Sequence, residues 1–197
     1  MDPHQLSQAP YARPLLDSEI QALTSEASPR DRALIWLCLG AGLRAQEAAG
    51  VRVQHLNSDG SLTVPSTTAK GKHPRLVYLS TQAHTILLQW LATLEDRSPE
   101  APMFPSRKRK HGQLQCLQPG TVVDLVKDLM VQAGITGASS HSLRRTHATR
   151  LRDTTDADLV LIKAQLGHSS LVVTERYLEV TPARHREIVR ELKLGWS

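Results

Sequence analysis

The 197-residue chain carries 24 Lys and Arg against 19 Asp and Glu, a formal net charge of +5, with 40% hydrophobic and 22% charged residues. This composition excludes a disordered chain, and the length suits one globular domain with its own core. The basic excess fits a polyanionic partner such as nucleic acid, because basic clusters gain affinity for phosphate backbones by releasing counterions, and it fits equally a mildly basic protein with no such partner.

In chain order, residues 1–13 with their prolines read as a flexible lead-in, and the N-terminal MDPHQLSQAP has no apolar signal core. A helix is predicted from Asp17, where Ile20 and Leu23 follow helical spacing. Ser28-Pro29-Arg30-Asp31 marks a stronger start, with a cap hydroxyl, proline at the first helical position and an acid in the first turn. The apolar run that follows suits a buried central helix ended by Gly40 and Gly42, and it is too short to span a membrane. Cys38 lies in this run and Cys116 far from it, with no CxxC spacing, so neither a disulfide scaffold nor a zinc site is indicated. A short helix is expected from Arg44 to Gly50.

SLTVPS and RLVYLS, within residues 61–80, are β-rich runs flanking TTAKGKHP, a hairpin with a long basic loop and the main β element in the chain. Helical spacing returns from Thr81 to Leu94. A loop then holds Pro99, Pro102, Pro105 and the basic run SRKRKHG; Arg107, Lys108, Arg109 and Lys110 there read either as phosphate contacts or as an exposed charged tip. Helices are expected at about 119–133, 141–152, 156–166, 170–178 and 182–193. The fold class is therefore mainly α with a small antiparallel β-hairpin. With only seven aromatic residues (one Phe, three Trp, three Tyr), stacking on single strands is disfavoured and duplex backbone contact is the better fit.

The chemistry concentrates in HSLRRTHATR, where His141 and Arg144 are three apart and share a helical face. Arg supplies a planar fork matched to phosphate oxygens, and His exchanges protons near neutral pH. His147 points elsewhere, against a two-histidine metal site on this helix. Alone, the stretch reads more readily as a solvated basic face. Arg44, Lys70, His168 after Gly167, and Tyr177 in ERYLEV change that balance: two guanidinium forks, a lysine, two imidazoles and a phenol, without the acidic pair of a two-metal nuclease, suit phosphoryl transfer to a protein nucleophile.

The order GLRAQE, AKGKHPRLVYL, HSLRRTHAT, LGHSS and ERYLEV resembles the catalytic domain of the tyrosine recombinases, the phage-integrase family, over about residues 14–190. The resemblance implies the DNA breaking-rejoining catalytic-domain fold and a site-specific recombinase that cleaves and rejoins duplex DNA. It implies that Tyr177 attacks the scissile phosphate and that Arg44 and Arg144 hold its non-bridging oxygens. Lys70 then protonates the leaving 5′-oxygen, while His141 and His168 assist. No cofactor is implied, since the phosphotyrosyl ester conserves the bond energy without metal or ATP. Glu47 resembles the family's supporting acid, and Arg75, Lys72 and Arg145 are expected to contact DNA with Arg107–Lys110. Lys72 competes with Lys70 for the acid role, but the position before the glycine matches the family better.

Gln46-Glu47-Ala48 departs from the Ser-Glu-Leu common in the family after the first arginine. The chain also begins almost at the catalytic domain, taken as 14–197, so an N-terminal core-binding domain is expected to be absent. The tail helix 182–193 either docks on a neighbouring protomer, giving a homo-tetramer on DNA, or packs on its own domain. An accessory DNA-bending or clamp protein stays open as a further partner. A cytoplasmic, nucleoid-associated protein without membrane contact is expected. Two other readings share the scaffold: a type IB topoisomerase, which the short length and LGHSS context disfavour, and a non-catalytic DNA-binding regulator, which the complete residue set disfavours.

Overall fold

The computed structural model describes residues 12–65, 74–154, 159–167, 186–187 and 189–192. Its elements are α1 (Asp17–Ser25), α2 (Pro29–Ala41), α3 (Ala45–Ala49), β1 (Ser61–Val64), β2 (Arg75–Tyr78), α4 (Thr81–Ala92), β3 (Pro105–Lys110), β4 (Gln113–Cys116), α5 (Pro119–Gln132), α6 (Ser140–Thr154) and α7 (Leu159–Leu166). A 3-10 turn lies at Val53–His55. The expected class of mainly α structure with small antiparallel sheets is what the chain adopts.

Helix α2 is the central element. Ser28 caps it by accepting the Asp31 amide at 3.2 Å, Pro29 occupies the first turn, and every residue from Ala33 to Ala41 is buried. A helix apolar on all faces must be surrounded, and α2 packs mainly against α4 and α6. Gly40 lies inside α2 rather than ending it: a Cβ there would come within 2.2 Å of Ala83 Cβ, so the glycine permits the close approach of α4. Ser80 joins the same contact, donating its amide to the Gly40 carbonyl at 3.0 Å while its hydroxyl caps α4.

Behind α3, the chain is pinned to the Ala101–Met103 segment by the Val53 amide on Ala101 O at 3.0 Å and the Met103 amide on Val51 O at 2.9 Å. Trp90 on α4 fastens that segment, donating Nε1 to Met103 O at 2.8 Å and stacking on Phe104 with ring centroids 6.4 Å apart. From Pro105 onward the structure corrects the expected loop. The basic run forms strand β3, paired antiparallel with β4 through an irregular register, so that Arg107, Lys108, Arg109 and Lys110 ride on an exposed hairpin. Its turn is His111-Gly112, both at positive φ (49° and 79°), the backbone that tight hairpins require.

Hairpin β1–β2 matches expectation, with Val64 opposite Arg75 and Ser61 opposite Tyr78. The expected helix at 170–178 lies outside the described residues, as does half of 182–193. The described part of that tail packs on its own domain. Val189 is fully buried in the common core, Arg186 pairs with Asp59 and lies 5.5 Å from the Tyr78 ring centroid, and Thr81 Oγ1 donates to Arg190 O at 3.1 Å. Among the described residues no helix is long and apolar enough to cross a membrane.

Substituting Gly40→Val is expected to lower stability by about 3 kcal/mol, a loss of roughly 6–12 °C in melting temperature, because Ala83 cannot yield. Gly120→Ala, in the first turn of α5 with nothing within 4 Å of the new methyl, is expected to be neutral or to stabilise by up to about 1 kcal/mol. Thermal melts followed by circular dichroism compare the two, and equal melting temperatures would contradict the packing argument.

Candidate active site

Two helix ends and one strand end build the site. Helix α2 stops at Gly42, whose φ of 67° is left-handed and whose missing side chain leaves room for His147 Cδ2, 2.7 Å from a would-be Cβ. Helix α7 stops in the same way at Gly167, with φ 63°. The unpaired carbonyls at these ends are natural acceptors for a cation. Arg144, on the buried face of α6, supplies it, donating Nη1 to Gly42 O and Nη2 to Leu166 O, each at 2.6 Å.

The second anchor is Glu47, at the third position of α3 and fully buried. Its Oε2 accepts the Arg44 amide at 2.9 Å, closing the start of α3, and its Oε1 accepts Arg44 Nη1 at 3.0 Å. Arg75, the first residue of β2, grips the same carboxylate with both outer nitrogens, Nη1 at 2.8 Å and Nη2 at 2.9 Å. Arg144 Nη1 stands 3.8 Å from Oε2. One buried carboxylate thus faces three guanidinium groups, leaving a surplus of two positive charges.

Protonation follows from this geometry. Burial is the largest influence on Glu47 and would raise its pKa, but the Arg75 hydrogen bonds, the Arg44 amide and the charges of both arginines together hold it below the usual carboxylate value. Burial, then the charge of Arg44, bring Arg144 down to about 10, with Glu47 partly offsetting them, so it stays a cation at neutral pH. Behind them the Cys38 thiol is pushed up to about 12 by burial and by Glu47, which makes it an inert core residue.

Of the residues expected to act, Arg44, Arg144 and Glu47 come together here. His141 is exposed on the first turn of α6, one turn before Arg144, and Arg145 is also exposed. His147 faces inward, its Nδ1 2.7 Å from Leu39 O, consistent with a packing role. Lys70, Lys72, His168 and Tyr177 lie outside the described residues. Arg75, expected against DNA, has both outer nitrogens on Glu47 and only 13% of its side chain exposed. Sequence reading missed this pairing because nothing in RLVYLS distinguishes a strand arginine at a surface from one in an ion pair 28 positions away. A second unread contact is Gln165 on α7. It takes the Tyr78 amide at 3.2 Å and donates to Tyr78 O at 2.8 Å and Ala41 O at 3.2 Å, tying α7 to β2 and to the end of α2.

The phage integrase family pattern matches residues 14–184. The tyrosine recombinase XerA of Pyrococcus horikoshii is 30% identical over 181 residues, covering 91% of this chain and 61% of that protein. The chain spans about half to three fifths of the length of the curated relatives it matches. Among solved structures, the integrase from mycobacterium phage Brujita superposes with a TM-score of 0.71 at 26% identity, covering 93% of this chain and 59% of that one. The XerH recombinase bound to its difH substrate shares the fold with a TM-score of 0.57 at 21% identity, covering 78% of this chain and 45% of that one.

Glu47→Gln is expected to cost about 3 kcal/mol at neutral pH, since it leaves buried guanidinium groups short of their counter-charge. The folded pKa of Glu47 lies below its unfolded value. Its contribution is therefore present in full above the ordinary carboxylate pKa of about 4.3 and is lost as pH falls through the lowered folded value. Urea midpoints for the two proteins should accordingly converge on acidification, and a gap independent of pH would refute the assignment.

Proposed function

The chain belongs to the phage integrase family, and from that premise we propose that it is the catalytic part of a site-specific DNA recombinase. The observation that carries this reading is the surplus of two positive charges around Glu47. A phosphodiester carries one negative charge, and the phosphorane-like state reached on attack carries two. A rigid site of that surplus therefore binds the transition state better than the ground state, which is the condition for acceleration.

In the proposed reaction Tyr177 Oη forms a bond to phosphorus as the bond to the 5′-oxygen breaks, leaving a 3′-phosphotyrosyl ester and a 5′-hydroxyl. The tyrosine proton passes to His141 as base, and Lys70 gives its proton to the departing 5′-oxygen. Arg44 and Arg144 hold the non-bridging oxygens, with His168 donating to one of them. The reverse attack by a 5′-hydroxyl from a second duplex rejoins the strand, so no ATP or metal enters the balance.

Double-stranded DNA is the proposed partner. Arg107, Lys108, Arg109 and Lys110 on the β3–β4 hairpin, with Lys72 and Arg145, would follow its phosphates. In a tetramer on DNA the tail around Val189 would exchange its present seat for the same seat on a neighbouring protomer, with an accessory protein bending or clamping the duplex where the site requires it.

Metal-free incubation with nicked duplexes tests the reaction. The wild-type chain is expected to give SDS-resistant, protease-sensitive adducts on particular sequences, whereas Tyr177→Phe binds the same DNA and gives none. Adducts that persist in the variant would reject Tyr177 as nucleophile, and wild-type adducts on every duplex would replace the recombinase reading with a topoisomerase one.

A further inference from the structure

Arg75 stands where three segments of the proposed site meet. It opens β2, one residue after Pro74 and five after Lys70 in sequence, and it is the register partner of Val64, six before Lys70. It holds Glu47, which in turn holds Arg44 through both its amide and its guanidinium. It also fills the space above Gly167, the residue before His168, where a Cβ would come within 2.7 Å of Arg75 Cδ and Nε. Gly167 therefore does more than end a helix, because a side chain there would force Arg75 to shift from its present place.

We infer that Arg75 is a positioning residue, acting through Glu47 to keep Arg44 aimed at the phosphate. This rests on the recombinase reading but goes beyond it, since it assigns to a strand arginine the control of another residue's ionisation. The groups facing Glu47 among the described residues are Arg44 from the start of α3, Arg75 from β2, Arg144 from α6 and the neutral Cys38 thiol from α2. Among the described residues Arg75 contributes the only two-point grip from outside α3. Without it the carboxylate stays buried with less to hold its charge, and a protonated Glu47 cannot keep the Arg44 guanidinium as an ion pair.

The test uses the wild-type chain, Arg75→Met, Arg75→Lys and the double variant Arg75→Met/Glu47→Gln. Adduct formation on a nicked duplex is timed at several pH values, each rate being divided by that of the wild type so that pH effects common to both proteins cancel. The Arg75→Met ratio is expected to fall by roughly tenfold between about pH 8 and about pH 6 as Glu47 takes up a proton, with DNA affinity changed little. The double variant is slow but flat, because the titrating group is gone. Arg75→Lys restores a charge but not the fork and gives a weaker slope. A flat ratio for Arg75→Met, or a slope that survives in the double variant, would overturn the inference.

Melting temperatures supply a readout independent of cleavage. Raising the folded pKa of Glu47 above its unfolded value makes the folded state bind the extra proton, so Arg75→Met should gain stability relative to the double variant as pH falls, the reverse of wild-type behaviour. If the wild type forms no adduct, the recombinase reading fails, and the melts alone decide the role of Arg75. An Arg75→Met protein that melts in parallel with the double variant at every pH would sink it there as well.

Discussion

A single buried carboxylate organises this protein. Glu47 has no contact with water, and an isolated charge in that position would be expelled or neutralised. It is retained because three guanidinium groups converge on it, and they in turn are tolerated close together because it lies between them. Each side of the arrangement makes the other affordable. The result is a cluster of surplus positive charge whose donors are held by packing and hydrogen bonds, the kind of prearranged donor set that the proposed reaction calls for.

The scaffold follows from the need to bring those groups to one point. A helix apolar on every side gives the domain an axis, and small residues let its neighbours approach it closely. Both α2 and α7 end on left-handed glycines, and both surrender a terminal carbonyl to the same arginine. Gln165 then stitches α7 to the strand that bears Arg75. Elements distant in sequence are thus joined by polar contacts that are few but buried, where each is worth more than at the surface.

Helices α1, α2 and α4 were legible because their signals are local. Ser28-Pro29 and Ser80 sit at caps, and Ile20, Leu23, Leu87 and their neighbours keep helical spacing. The second hairpin was not. Strand β3 carries charge instead of alternating apolar residues and β4 has only four residues, none of them fully buried, so pairing there depends on the His111-Gly112 turn rather than on a buried face. Gly40 was misread as a terminator because a glycine that ends a helix and one that admits a neighbouring helix look alike until the neighbour is placed. In the candidate site, residue types and order singled out Arg44, Glu47 and Arg144, which the fold places side by side, whereas the pairing of Arg75 with Glu47 is long-range and leaves no mark on either segment. The same limit applies to Gln165, whose partners are backbone atoms that any residue could have supplied.

Arg144 closes its grip on an atom of Leu166, twenty-two positions further along the chain. During synthesis α2, α3, the β1–β2 hairpin and α6 all leave the ribosome before that acceptor exists. An arginine waiting for its second carbonyl has a half-satisfied, buried cation to accommodate, and α6 has no reason to settle in its final place. The cluster is therefore completed late, by the arrival of α7, and a chain interrupted before it would hold these guanidinium groups without the contacts that fix them. On the recombinase reading proposed above, competence to cleave is acquired only after α7 has been made.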